Sequence, residues 1–148
     1  MHAEQMAEDA PSVDLNSNAL EAVQLLAEQR LPALVVTDLD GSPHSILPAS
    51  QVVRFLVPSY VQDDPSLARV MNESMADRAG DKLGGKRVRD LLPQERRELP
   101  AVNHDDTIIE VAAIMARLRC PLAAVIKDGR MIGVISASRL LQLALHPR

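Results

Sequence analysis

Apolar residues recur along the chain at helical spacing and in short uninterrupted runs, and these patterns occur twice in the same order. A polar residue that can cap a helix, Asn18 or Thr107, precedes each stretch of helical spacing. The apolar positions that follow are Leu20, Val23, Leu26 and Ala27 in the first half, and Ile108, Val111, Ala112 and Met115 in the second. This spacing predicts two amphipathic helices, each buried along one side.

A proline and a short apolar run follow each of these helices. Because proline cannot continue a helix, Pro32 and Pro121 predict a turn into a buried strand, over residues 34–37 and 123–126. The dipeptides Asp40-Gly41 and Asp128-Gly129 predict tight hairpin turns after these strands. The returning strands are predicted over residues 44–47 and 131–135, and the second helices over residues 50–56 and 138–145.

The two halves are one sequence unit written twice. Pro32 aligns with Pro121, and Asn18 with Thr107, at an offset of 89 residues. A half of about 50 residues buries too little surface to fold alone, because even domains near 60 residues are marginal. We therefore expect the halves to share a core, with residues 1–57 as the first repeat and residues 86–148 as the second.

The segment between the repeats, residues 58–85, has a different composition and reads as a helical insert. Residues 65–78 predict an amphipathic helix that Gly80 and Gly84-Gly85 break. One side of this helix carries Leu67, Val70, Met71 and Met75. Residues 86–92 are predicted to open the second half, as residues 3–6 open the first, and residues 93–98 are predicted to form a charged loop.

The composition of the chain disfavours several classes of function and location. A formal charge of -4 with 1% aromatic residues disfavours nucleic-acid binding, which needs basic surface and stacking rings. No apolar run reaches the ~18 residues that span a bilayer, so we expect no direct membrane insertion. Residues 1–12 do not resemble a signal peptide, and Cys120 is the only cysteine, so we expect a cytoplasmic location.

Groups that carry out chemistry are sparse. The four histidines are dispersed without metal-ligand spacing, and Cys120 lies in an apolar setting typical of a buried small side chain. His104-Asp105-Asp106 could form a metal or acid/base site, but its place before a helix favours a capping role. We expect no catalytic site and no metal site.

The repeats resemble the CBS (cystathionine-beta-synthase) domain family, whose members occur as tandem pairs called Bateman modules. The best match is KDGRMIGVIS at residues 127–136, an acidic turn followed by a strand, a glycine, two apolar residues and a serine. The resemblance implies an α/β (α+β) fold in which two small sheets pack together with helices outside. It also implies a homodimer formed through helices, and adenine nucleotides bound in clefts between the halves.

In that family, a Ser or Thr after the last strand and an Asp three residues later hold phosphate and ribose. Ser136 and Arg139 stand at these positions in the second repeat, and Pro48 and Gln51 in the first. A guanidinium only donates hydrogen bonds, so Arg139 favours an anion over the ribose hydroxyls. The candidate ligand-binding residues implied by the resemblance are Ser136, Ser138, Arg139, Gln51, Val102 and Ala124. The alternative interpretations are a solvated Arg139 and serines that only cap the helix.

The sequence thus predicts a non-catalytic regulatory module that binds a small anionic ligand and modulates a separate enzyme, channel or transporter. AMP, ADP and ATP are the candidate ligands, and no cofactor is required. The alternative is a ligand-free interaction module whose insert docks on a partner such as a membrane transporter.

Overall fold

Two three-stranded sheets form the centre of the protein. The computed structural model describes residues 1–70, 75–95 and 98–146. In each sheet the first two strands are parallel and the last two form an antiparallel hairpin. The strands are β1 (Ser12–Asp14), β2 (Ala33–Thr37), β3 (Pro43–Pro48), β4 (Ala101–Asn103), β5 (Leu122–Lys127) and β6 (Arg130–Ser136).

Helices connect the parallel strands and follow each hairpin, which confirms the predicted order of elements in both repeats. The helices are α1 (Ala3–Met6), α2 (Ala19–Glu28), α3 (Ala49–Leu56), α4 (Ser59–Asp63), α5 (Met75–Leu83), α6 (Val88–Leu91), α7 (Ile108–Leu118) and α8 (Ala137–Leu145), with a 3-10 helix over Pro65–Val70. None of the helices in the described ranges has both the length and the hydrophobicity needed to cross a bilayer.

The predicted caps and the tight turn at Asp128-Gly129 are present. The first hairpin instead closes through a longer loop, residues 38–42, in which the Asp38 N–H donates to the Ser42 carbonyl at 2.8 Å and Gly41 has a φ of 89°. Asn18 accepts a hydrogen bond from the backbone N–H of Glu21 at 3.0 Å, and Thr107 accepts one from Glu110 at 3.3 Å. Asp128 and Gly129 have φ values of 53° and 77°, the left-handed pair that a two-residue hairpin turn requires. Ala27 differs from expectation because it is exposed. The buried stripe of α2 runs through Ala19, Ala22 and Leu26.

The sheets pack face to face through small aliphatic side chains. This central cluster takes alternate residues from both hairpins and consists of Ala33, Val35, Ile46, Leu99, Cys120, Leu122, Ala124 and Val134. The intervening residues of β2, Leu34 and Val36, point to the helices of the first repeat. Both faces of each sheet are therefore covered, which explains the continuous burial of β2.

The short helices α1 and α6 are exchanged between the repeats. Ala3 and Met6 of α1 are fully buried in the core of the second repeat, beside Val111 and Ile135. The N–H of Ala3 donates to the Asp106 carbonyl at 2.8 Å. Each segment opens one repeat in chain order but packs on the other, so the repeats hold each other together.

The equivalent residues of α6, Val88 and Leu91, are buried in the core of the first repeat. The N–H of Val88 donates to the Ser17 carbonyl at 2.9 Å. The exchange is therefore reciprocal.

The insert differs from the single predicted helix. Residues 65–70 form a 3-10 turn, and α5 runs through Gly80 to Leu83 before Gly84 and Gly85 end it. The predicted break at Gly80 is wrong. A glycine inside a helix costs about 1 kcal/mol, and burial of Leu83, 1% exposed, offsets this. Met71 and the side chains of Val70 and Met75 lie outside the described part of the chain.

Candidate functional site

Two cavities lie at equivalent places, each beside the start of the helix that follows a hairpin. Cavity 1 measures about 880 Å³, and its walls are Ile46, Pro48, Ser50, Gln51, Arg54, Pro93, Gln94 and Glu95. Cavity 2 measures about 220 Å³, and its walls are Glu8, Asp9, Ala10, Pro11, Leu31, Pro32, Ala33, Val35, Leu122, Val134 and Ser136. Sites for small molecules usually measure about 300–1,000 Å³, so only cavity 1 has the volume for a nucleotide.

The start of α3 is uncapped in cavity 1. Pro48 occupies the N-cap position, and no side chain accepts a hydrogen bond from the first turn of this helix. The N–H of Ala49 donates to the Pro32 carbonyl at 3.0 Å. The N–H groups of Ser50 and Gln51 therefore remain for solvent or a ligand in this cavity.

Gln51, a predicted ligand-binding residue, lies in the wall of cavity 1 and also has a structural role. Its side-chain amide donates to the Leu91 carbonyl at 3.1 Å. Leu91 belongs to α6, so this bond fixes the exchanged helix against α3. The amide group is thus partly committed before any ligand arrives.

Among the described residues in the wall of cavity 1, Arg54 carries the positive charge, and we did not identify it from the sequence. It is exposed, lies one helical turn after Gln51, and forms no ion pair with any residue in the described ranges. Arg54 follows Gln51 by three residues on the predicted helix, so the two side chains share one helix face. This spacing was the sequence signal for Arg54. Glu95, also in the cavity wall, reaches it only through the tertiary fold, and no local pattern indicated this.

The start of α8 is capped in cavity 2. The Ser136 hydroxyl accepts a hydrogen bond from the backbone N–H of Arg139 at 3.1 Å. This is the capping role considered for the serines in the sequence. The hydroxyl also lines the cavity, where its hydrogen can still be donated.

The Arg139 side chain is half-buried, not freely solvated. Its Nη1 donates to the Gln142 side chain at 3.2 Å. Its Nε lies 3.9 Å from a carboxylate oxygen of Glu8, which is too long for a hydrogen bond. This Nε is buried and has no hydrogen-bond partner among the residues that the structure describes. The guanidinium therefore retains an unmet donor beside cavity 2.

Carboxylates and apolar side chains dominate cavity 2. Glu8 and Asp9 are in its wall, and no lysine or arginine is among the wall residues that belong to the described part of the chain. Arg139 stands beside the cavity, facing Glu8. An anion that enters cavity 2 must therefore compete with Glu8 for the guanidinium.

The remaining predicted ligand-binding residues are not among the wall residues of either cavity. Ser138 is exposed in the first turn of α8. Val102, 2% exposed, packs under α7, and Ala124 is fully buried between the sheets. Both side chains are core residues in this structure, because both faces of the second sheet are covered. The structure brings Ser136 and Arg139 together and places Gln51 in the other cavity.

The residues considered for chemistry have structural partners. A carboxylate oxygen of Asp106 accepts a hydrogen bond from the Asn103 N–H at 2.8 Å, and Cys120 is buried between the sheets. A hydrogen bond and the charge of Lys127 lower the pKa of Glu4. Within the residues that the structure describes, no three His, Cys, Asp or Glu side chains are placed to hold a metal ion.

The family model for the CBS domain matches the chain twice, at residues 3–58 and 88–146. The chain belongs to the CBS domain family. The two matched regions contain the two sheets, and α4, the 3-10 helix and α5 lie between them. No curated protein matches the sequence.

Solved structures of other CBS proteins share the fold. A CBS domain-containing protein of unknown function from Kribbella flavida DSM 17836 is 68% identical, with a TM-score of 0.94 over 98% of this chain and 99% of that one. The CBS domain of a membrane protein from Sphaerobacter thermophilus is 15% identical, with a TM-score of 0.72 over 97% and 87%. CBSX2, solved in complex with AMP, is 17% identical, with a TM-score of 0.66 over 97% and 96%.

Proposed function

We propose that this CBS pair is a non-catalytic regulatory module that binds a small anionic ligand in cavity 1. AMP, ADP and ATP are the candidates, and no cofactor is required. The observation that carries the proposal is the combination, in one cavity of about 880 Å³, of an exposed Arg54 and the uncapped start of α3. CBSX2 in complex with AMP supports a nucleotide as the ligand class.

A phosphate group fits the donors of this cavity. The free N–H groups of the first helical turn and the positive end of the helix dipole favour an anion. Arg54 adds a charged donor that can form a bidentate pair with phosphate. Ser50, Gln51 and Arg54 all belong to the wall of this one cavity.

Ribose recognition in cavity 1 would need an acceptor other than residue 51. Gln51 replaces the carboxylate of the family pattern, and its amide already donates to the Leu91 carbonyl. Glu95 lines the same cavity, and its carboxylate can accept hydrogen bonds from vicinal hydroxyls. We therefore assign the ribose role to Glu95. The Ser136 and Arg139 site of cavity 2 is the second candidate for an anion.

We further propose that the module is a homodimer formed through its helices. Three apolar side chains on α7 and α8 are highly exposed, namely Ile109 at 74%, Leu141 at 62% and Leu145 at 73%. A second copy would remove these side chains from water, and each is worth about 1.5–3 kcal/mol on full burial. A dimer would also let ligand in one copy influence the other.

The regulated partner would be a separate enzyme, channel or transporter in the cytoplasm. The alternative, an interaction module with empty clefts, is favoured by Tyr60, 58% exposed, and Leu67 in the insert. Cell fractionation tests the location. Crosslinking from a photoreactive residue at position 60 tests whether the insert contacts a partner, with position 130 on the hairpin as the control.

A thermal-shift screen against AMP, ADP, ATP and inorganic phosphate tests ligand binding. A ligand that binds only the folded state adds about 2.7 kcal/mol of stability at a hundredfold excess over Kd. We expect a nucleotide to raise the Tm and Arg54→Ala to reduce this rise. Arg130→Ala, an exposed arginine on β6, is the matched control. No rise with any of these ligands would favour the interaction module.

A further inference from the structure

The N-terminal eleven residues form a strap that crosses from one repeat to the other. Its helix α1 is buried in the core of the second repeat, and it then continues into β1, which pairs with β2 in the first repeat. The crossing residues Glu8 and Asp9 lie in the wall of cavity 2. The strap therefore contacts the second repeat and the cavity at the same time.

The strap is fixed to β6 by backbone hydrogen bonds. The N–H of Glu8 donates to the Val134 carbonyl at 2.8 Å, and the Val134 N–H donates back to Glu8 at 2.9 Å. Gly133 permits this close approach, because a Cβ there would lie 3.0 Å from the Glu8 carbonyl oxygen and 3.1 Å from the Ala7 Cβ. β6 leads directly into Ser136 and α8, so strap and cap are adjacent.

A second attachment lies at α1. The Lys127 ammonium donates to the Glu4 carboxylate at 3.0 Å, and the ring Nδ1 of His104 lies 3.6 Å from the same oxygen. This attachment does not border cavity 2. A ligand that enters cavity 2 would therefore act on the strap at Glu8 first and leave the Glu4 contacts intact.

The Glu8 carboxylate faces the Arg139 guanidinium, the group that would bind an anion beside cavity 2. Glu8 lies 3.9 Å from Nε of Arg139, yet that buried Nε has no hydrogen-bond partner within the described ranges. A phosphate oxygen at normal hydrogen-bond distance would satisfy this donor, whereas Glu8 does not. The same phosphate would repel the nearby carboxylates of Glu8 and Asp9.

We propose that Glu8 is an internal substitute for an anionic ligand in cavity 2, and that an anion bound at Arg139 displaces Glu8 and releases the strap from β6. This regulation rests on the proposed function, since it requires that the module binds anions. Release would enlarge cavity 2, which is too small for a nucleotide while the strap is in place. It would also uncover the edge of β6 for a partner.

The ligand-free protein provides the first test, by hydrogen–deuterium exchange of residues 1–11. We expect Glu8→Gln and Arg139→Ala each to speed exchange roughly two- to fivefold, the range for a partly exposed ion pair. The double variant should exchange no faster than the single ones. Asp9→Asn removes a neighbouring carboxylate of the same cavity and should have less effect. Unchanged exchange in Glu8→Gln and Arg139→Ala would overturn the proposal.

The second test adds AMP or, at matched ionic strength, inorganic phosphate. We expect faster exchange of residues 1–11 in the wild type and no further change in Arg139→Ala. A response to AMP alone identifies a nucleotide as the releasing anion, and an equal response to both identifies phosphate itself. A rise in Tm with unchanged or slower strap exchange would overturn release and leave ligand binding standing. No rise in Tm with either anion would overturn both.

Discussion

Pro48 and Ser136 occupy the same position in the two repeats, but only Ser136 caps the helix that follows it. Ser136 caps α8 by accepting a hydrogen bond from the Arg139 N–H at 3.1 Å, whereas Pro48 caps nothing in α3. The two clefts of this CBS pair are thus chemically different. The first exposes backbone donors and the arginine Arg54, and the second is narrowed by the strap and has a serine cap in its wall.

Substitution of Pro48 by serine should make the first repeat resemble the second. A serine hydroxyl can accept the Gln51 N–H, and an N-cap of this kind stabilises a protein by about 0.5–2 kcal/mol. The same cap would remove a donor from cavity 1, so we expect a higher Tm together with weaker AMP binding. Pro58→Ser, at the uncapped start of α4 outside both cavities, is the control. Unchanged AMP affinity in Pro48→Ser would show that these donors do not hold the ligand.

Two glycine substitutions should change stability in opposite directions. A Cβ at Gly133 would press on Ala7 and Glu8 of the strap, and such overpacking costs about 1–3 kcal/mol. A Cβ at Gly80, inside α5, meets no atom within 4 Å, so alanine there should stabilise by up to about 1 kcal/mol. Urea unfolding of both variants measures the difference. Equal stability of the two variants would contradict the close approach of strap and β6.

The attachment of α1 through Glu4 should depend on pH. The hydrogen bond and charge of Lys127 lower the pKa of Glu4, so the folded protein holds the charged carboxylate more strongly than the unfolded chain does. Its contribution is present above the ordinary glutamate pKa of about 4.3. This contribution to stability is lost as the pH falls through the lowered pKa of Glu4.

Comparison with Glu4→Gln isolates this contribution from that of other carboxylates. We expect the wild type to have the higher Tm at pH 7, and the difference to shrink as the pH is lowered below about 4. Thermal unfolding of both proteins from pH 7 to pH 3 measures it. A difference that stays constant over this range would exclude the charged pair as its source.

Charge on the exposed face of α8 should block self-association. Leu145→Glu places a carboxylate where the proposed dimer buries an apolar side chain, and an unpaired buried charge is strongly unfavourable. We expect light scattering to give a dimer for the wild type and a monomer for this variant. Leu39→Glu, on the hairpin turn of the first repeat and 65% exposed, should leave the dimer intact. A monomeric wild type at micromolar concentration would contradict the homodimer.

The elements of the fold were predictable because their signals are local. The caps at Asn18 and Thr107 and the Asp128-Gly129 turn each depend on a few neighbouring residues. The path of α5 through Gly80 was not predictable from local sequence, because burial of Leu83 against the first repeat outweighs the local helix breaker.

The candidate site was predictable only at the residues that the repeats align. Ser136, Arg139 and Gln51 were found in this way, whereas Glu8 and Glu95 enter the cavity walls from segments next to the exchanged helices. Glu8 and Glu95 reach the cavities only because α1 and α6 each pack on the other repeat, and no local sequence pattern indicates this packing. Val102 and Ala124 were selected from their strand positions, but their side chains are buried. A strand position alone does not reveal that both faces of the sheet are covered.

Isothermal titration of the protein with AMP tests ligand binding in cavity 1 most directly. We expect one AMP per chain at low ligand concentration, and a loss of affinity of roughly 10- to 150-fold in Arg54→Ala, the range for hydrogen bonds to a charged group. Arg130→Ala should bind as the wild type does. Equal AMP affinity in Arg54→Ala and the wild type, or no heat of binding in either, would contradict a ligand site in cavity 1.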